Sequence, residues 1–352
     1  MKISTRSLVV FLGISAAAQP ALAQGAAPDR AAVKASIEEA VASRDSRRGY
    51  EAYDRFVAAN RGPDAELLSP LAADELRAVA VHAVSDPRLQ VEAWERLARH
   101  GDAEASAALQ RMALDRPGSP VAALANGALA RLGDETAADR LAAMVSSGTL
   151  HDKSNVVEAM RRSGLTTRAH VLLPLLGDRD PVTRGEAAEA LAVLGYASAG
   201  SEIRQLLSDS DPRVRSKAAL ALKRLGDAGA NPAVDAMLRS NVGSARLNAL
   251  EADPASDRRD IAAAARQLMT DADPLNRVRG AEAMAKSDPG AAHAVLAAVA
   301  GDADSTARRL AARALASLDP VDLTLLRRLL EDGTGWVRMY AAGGVLAAAA
   351  KK

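Results

Sequence analysis

The chain has 352 residues, 49% hydrophobic but only 2% aromatic, with no cysteine and a formal charge of +1. The absence of cysteine excludes disulfides, thiolate nucleophiles and Cys-ligated zinc. The near-neutral charge argues against nucleic acid as the main partner, because phosphate neutralisation needs a basic surplus on one face. With so few aromatics the core must be built from Ala, Leu and Val, which suits helices at close range. Long β-branched runs are lacking, which argues against a sheet.

The first residues read as a targeting segment. Lys2 and Arg6 form a basic region, Leu8 to Ile14 open an apolar run, and Ala21-Leu22-Ala23 is a small-x-small cleavage site. The run falls short of the roughly 20 residues that span a bilayer, and no later run is long enough. A cleaved secretory signal over 1–23 is therefore expected, with no integral membrane segment afterwards and a periplasmic destination. Without a cysteine, a lipoprotein anchor at this site is excluded. Cleavage removes two basic residues and no acidic one, leaving 43 basic against 44 acidic.

Residues 24–30 form a short leader. Residues 31–44 and 47–60 show amphipathic helical spacing, and Tyr50, Tyr53 and Phe56 share one face of the second. That face admits two readings, core packing or an aromatic ligand patch, and helical spacing favours the core. Arg61-Gly62-Pro63 ends the pattern. This pair, within a segment 24–70, is expected to cap the apolar end of an array that fills 71–352.

The array is marked by its period. Asp180-Pro181-Val182-Thr183-Arg184 recurs 31 residues later as Asp211-Pro212-Arg213-Val214-Arg215, then as Asp273-Pro274-Leu275-Asn276-Arg277 and Asp304-Ser305-Thr306-Ala307-Arg308. The skipped copy keeps Arg246. A fixed period of this length marks stacked helical repeats. Nine helix pairs are expected, with second helices starting near 88, 120, 150, 181, 212, 243, 274, 305 and 336. Gly101, Gly133, Gly164, Gly195 and Gly226 mark the returns, and Asp257, Asp288 and Asp319 take the position later.

Each part of the string has a local cause. Asp at the N-cap accepts free backbone N–H groups, and Pro at N1 loses no hydrogen bond and has a helical φ already. Val214, Ala218, Leu222 and Leu225 then form an apolar stripe. Pro174 should kink the first helix that contains it.

The run Asp209-Ser210-Asp211-Pro212-Arg213-Val214-Arg215-Ser216-Lys217-Ala218-Ala219-Leu220-Ala221-Leu222-Lys223-Arg224-Leu225-Gly226 resembles the short HEAT repeat of the type named after the phycobilisome bilin lyases. The resemblance covers about 71–350 and is strongest at 178–226 and 271–318. It implies an all-α, right-handed α-solenoid of HEAT-like helix pairs, with second helices lining the concave face.

Two columns are candidates for function. The first joins Arg184, Arg215, Arg246, Arg277 and Arg308 with Asp180, Asp211, Asp273 and Asp304, and with turn aspartates 178, 209, 271 and 302. It reads either as an anion-binding track or as a structural Asp–Arg ladder. Arginine suits fixed carboxylate pairing between repeats, which favours the ladder. The second is Glu158, Glu189, Glu251 and Glu282, opposite the apolar stripe, with Arg213, Lys217, Arg161 and Arg162 beside it. It reads either as an acidic partner-binding ribbon on the concave face or as a solvated face with pairs such as Glu158–Arg162.

No catalytic residue, metal site or cofactor is indicated. The five histidines are scattered, and no HExxH, GxSxG or phosphate-loop motif occurs. HEAT-type deoxyhypusine hydroxylases carry iron on repeated His-Glu motifs, and those are absent here. The expected function is an exported scaffold that binds a protein partner on its concave face. The alternative is an enzyme or accessory subunit, lyase-like, acting on an envelope component or cofactor.

Overall fold

The second helix of each repeat begins where capping chemistry places it. The computed structural model describes residues 28–146, 153–252 and 258–351; the expected signal segment, His151 and Asp257 lie outside them. Asp180 accepts the N–H groups of Val182 and Thr183, Asp211 that of Arg213, Asp273 that of Leu275 and Asp304 that of Thr306. Three of these caps precede a proline at the first helical turn. Asp86 and Ser119 serve the same role earlier in the chain.

The chain opens with α1 (Arg30–Ala42) and α2 (Ser46–Phe56). The pairs follow as α3 (Ala65–His82) with α4 (Pro87–Arg99), α5 (Ala103–Leu114) with α6 (Pro120–Arg131), and α7 (Glu135–Ser146) with α8 (Lys153–Ser163). The next first element, Thr166–Gly177, winds as 3₁₀ and precedes α9 (Pro181–Val193). Then come α10 (Gly200–Gln205) with α11 (Pro212–Arg224), and α12 (Asn231–Leu238) with α13 (Gly243–Ala252). The last pairs are α14 (Arg258–Met269) with α15 (Pro274–Met284), α16 (Pro289–Val299) with α17 (Ser305–Leu315), and α18 (Leu323–Leu329) with α19 (Gly335–Ala350). The protein is an all-helical HEAT-type solenoid, with no strand among the described residues.

Two local features depart from the sequence reading. Pro174 does not kink an α-helix, because the whole segment around it adopts 3₁₀ turns. Proline lacks the N–H for an i→i−4 bond, and the tighter winding avoids needing it. Second, α3 starts at residue 65, ahead of the expected 71, and carries Pro70 inside its first turns.

Small residues set the spacing between repeats. A Cβ on Gly127 in α6 would lie 2.9 Å from the Ala159 side chain of α8, and one on Gly280 in α15 would lie 2.5 Å from the Ala265 carbonyl. Helices this close lose contact if a neighbour gains a methyl group. The five return glycines all have positive φ, from 68° to 93°, which L side chains adopt only with strain.

The array also closes on itself. α19 packs along α3 and touches α4, and Arg327 of α18 reaches α2. Leu76, Val79 and Ala80 of α3 and Val337, Met339, Ala341 and Val345 of α19 are buried in one core that joins the N- and C-terminal repeats. α1 and α2 pack on α3 beside this seam. Tyr50, Tyr53 and Phe56 of α2 are buried there; the Arg327 guanidinium of α18 lies 3.9 Å over the Tyr50 ring and bonds Asp54 at 2.9 Å. Trp336 donates its indole N–H to the α4 cap, Asp86, at 2.8 Å.

Candidate functional site

The arginine column sits at the turns, where each member can reach two backbones and a carboxylate. Arg184 holds Asp209 of the next repeat through Nε and Nη2, both at 2.7 Å, and its Nη1 donates to the carbonyls of Asp178 and Arg179. Arg277 repeats the arrangement more loosely, 3.6 Å from Asp302, and Arg308 reaches Asp332 at 2.9 Å. The turn aspartates also tie down the caps, since Asp178, Asp209, Asp271 and Asp302 accept the N–H of the N-cap two residues on. The Asp209 carboxyl is held below the usual carboxylate range, first by the Arg184 bond.

Two copies deviate. Among the described residues Arg215 bonds only the carbonyls of Asp209 and Ser210, and the next turn offers Ser240 where an aspartate would stand. Arg246 turns to Gln267. The ladder then crosses the seam: Arg338, four residues after Thr334 as Arg184 is after Asp180, bonds Glu75 of the first repeat at 2.6 Å.

The second helices line the inside of the ring, shown by contacts that reach across it. Arg162 of α8 donates to Glu92 of α4 at 2.7 Å, 70 residues away in sequence. On this inner face the Glu column is not a bare acidic ribbon. Glu189 pairs with Lys217 at 3.2 Å, Glu251 with Arg279, and Glu282 with Arg313 at 2.7 Å, each cation coming from the following repeat. Glu158 pairs with Arg161 at 2.6 Å, and Arg162, its expected i,i+4 partner, goes to Glu92 instead. The physical reason is curvature: facing second helices bring residues 28 to 31 apart into reach. Arg213 is not part of this row; its guanidinium folds back onto its own cap, Asp211, at 3.1 Å.

Sequence reasoning missed Glu92 and Glu95, which are 3% and 2% exposed. Burial alone would raise their carboxyls, but Arg162 and Arg96 outweigh it at Glu92, and Arg131 and Arg99 at Glu95, so both lie below the ordinary value. The available signal was two glutamates on the buried side of a helix whose next turns carry Arg96 and Arg99.

Three cavities open on the inner face: one of about 240 Å³ between α11 and α13, bordered by Glu189 and Lys217, and two more. One of about 760 Å³ lies between α13, α15 and α17, with Glu251, Arg279, Glu282 and Arg313 around it and Ala283 and Leu318 among its apolar lining. The other, of about 220 Å³, lies where the seam meets the inner wall, beside Tyr340 and Gly343. Among the described residues no group of acidic, His or Cys side chains could hold a metal ion, and no helix is long and apolar enough to cross a membrane.

With this geometry in view, residues 169–253 match the family model for HEAT repeats. The chain carries HEAT repeats. The match covers the stretch from the 3₁₀ segment through α13; the finer likeness to the bilin-lyase type has no such support. Among solved structures, the chain is similar to human deoxyhypusine hydroxylase in complex with glycerol, at 20% identity over 81% of this chain and 99% of that one, with a TM-score of 0.38. It is similar also to an engineered protein at 20% identity, covering 89% and 97%, with a TM-score of 0.33. No curated protein matches the sequence. At these identities the likeness concerns the helical fold alone, and no activity is carried over from either structure.

Proposed function

We propose that the protein is an exported, non-enzymatic scaffold that binds a protein partner on the inner face of its HEAT array. HEAT repeats are helical scaffolds for protein interaction, and a preformed curved surface binds with little rearrangement. The observation that carries the reading is the row of half-exposed Glu–cation pairs beside the 760 Å³ cavity. Such pairs contribute little to folding but offer both signs of charge to a polar partner segment over an apolar floor. The export part rests on the N-terminal pattern of residues 1–23.

The test is recovery of partners from a periplasmic extract on the wild-type protein and on the quadruple variant Glu158→Ala, Glu189→Ala, Glu251→Ala and Glu282→Ala. Loss of specific partners with an unchanged fold supports the reading, and identical recovery sinks it. Fractionation with mass spectrometry of the N-terminus tests export: a mature chain starting at Gln24 in the periplasmic fraction is expected.

A further inference from the structure

The two sets of arginines differ in how completely they are used. Arg184, in the turn ladder, commits all three guanidinium nitrogens to protein acceptors. The arginines around the 220 Å³ cavity do not. Among the described residues, Arg96, Arg99, Arg162 and Arg313 each hydrogen-bond through one terminal nitrogen only: Arg96 to the Glu92 carbonyl and carboxylate and the Met339 sulfur, the others to Glu95, Glu92 and Glu282 respectively. A guanidinium carries five N–H donors in a planar fork, so most donors here have no protein acceptor among the described residues. The charge is unbalanced too: Glu92, Glu95 and Glu158 between them contact Arg88, Arg96, Arg99, Arg131, Arg161 and Arg162, six cations for three carboxylates.

Helix ends explain part of this, since a C-terminus attracts one cation on its last turn. They do not explain two on α4, Arg96 and Arg99, nor the convergence of Arg162 and Arg313 from the third and eighth pairs onto the same cavity. Ring closure makes that convergence. Tyr340 of α19 lies 4.8 Å under the Arg96 guanidinium, and Gly343 leaves the room Arg96 occupies, because a Cβ there would stand 2.7 Å from its Cδ. Burial holds the Tyr340 hydroxyl protonated, above its usual range, so it can donate.

We propose that this cavity is a binding site for a compact, multiply charged oxyanion, gripped by Arg96, Arg99, Arg162 and Arg313 with the Tyr340 hydroxyl beside them. Guanidinium forks match phosphate and carboxylate oxygens in a bidentate manner, and about 220 Å³ suits a small anion and not a polymer. Glu95 also borders the cavity, but Arg99 and Arg131 already neutralise it. The site needs no protein partner, so it stands or falls apart from the scaffold reading.

Calorimetric titration of the full mature protein with inorganic phosphate, pyrophosphate and citrate tests it, with thermal shift as a second readout. Saturable binding of at least one anion, one per chain, and a raised melting temperature are expected. A preference for pyrophosphate or for citrate separates phosphate from carboxylate recognition. Arg99→Gln and Arg313→Gln are suitable variants, their side chains being 52% and 45% exposed. Each should weaken binding about tenfold, the value of one charge-assisted bond, while Arg213→Gln leaves it unchanged. No saturable binding of any of the three anions by the wild type at millimolar concentration overturns the proposal. Equal affinity in all three variants also overturns it, leaving adventitious counter-ion binding only.

Discussion

The middle of the array and its seam solve the same stacking problem with different residues. In the middle, α9 stacks on α11 through alanine and leucine, with Ala187, Leu191, Ala218 and Leu222 fully buried, and the Arg184–Asp209 bond fixes the register. At the seam α19 stacks on α3 through valine, leucine and methionine, and the register bond becomes Arg338–Glu75, with Trp336–Asp86 and Arg327–Tyr50 added. The difference teaches that the repeat rule is a rule of geometry. A cation on the first turn of a second helix reaches a carboxylate on the neighbouring pair, whichever pair that is. The seam carries extra aromatic and ionic contacts because its two sides are distant in sequence and no short turn holds them together.

The sharpest way to break this comparison is to damage the core on each side. Leu191→Ala and Met339→Ala should each cost about 2–5 kcal/mol, the range for truncating a buried large side chain, in a single cooperative denaturation. If Met339→Ala left the midpoint unchanged, the seam would be a loose contact and the ring would not be closed in solution. Arg327→Ala should follow at about 1–3 kcal/mol, through loss of the ring contact and the charged hydrogen bonds of a side chain 9% exposed. Small-angle scattering of that variant should show whether the ring also opens.

The inner network adds a pH test. Glu92 and Glu95 have folded values below the ordinary 4.5. Their contribution is present in full above that value and is lost as pH falls through the depressed folded values. Glu75, at the seam, shifts the other way because burial outweighs its bond to Arg338. Its contribution favours folding at low pH and is lost as pH rises through its raised folded value. In the acid window below the ordinary 4.5 the inner network therefore weakens while the Glu75 contribution does not. Glu95→Gln should flatten the fall in melting temperature across this window, and a variant as acid-sensitive as the wild type would refute the assignment. The smallest effects belong to the ladder. Arg184→Ala should lower the melting temperature more than Arg215→Ala, since only Arg184 holds a carboxylate of the next repeat. A cycle with Asp209→Ala should show strong coupling for the first arginine and only weak, long-range coupling for the second, which touches the Asp209 carboxyl through charge alone.

Much of the repeat was legible because its causes are local. An N-cap aspartate, a proline at N1 and a glycine after the helix act within one turn, and eight of the nine expected second-helix starts lie within one residue of the observed ones. The ninth, near 150, falls outside the described residues, which resume at Lys153 within α8. Closure was not legible, because it is the sum of small rotations set by contacts such as Gly127 on Ala159. For the same reason the Glu column looked acidic: the cations of Glu189, Glu251 and Glu282 are a repeat away in sequence and become neighbours only through curvature. One seam signal was present but unread, the Gly343-Gly344 pair inside a helix. Those glycines admit Arg96 on one side and Ala316 and Leu326 on the other.

The meeting of α3 and α19 has a consequence for how such a chain can change over generations. An open stack can gain or lose a unit by duplication or deletion, and each length is about as foldable as the next. A stack whose last unit docks on its first must complete one full turn, so adding or removing a single pair leaves the ends unable to meet. The nine second helices from α4 to α19 are thus a closure condition on the gene, and its drift is confined to substitution within units.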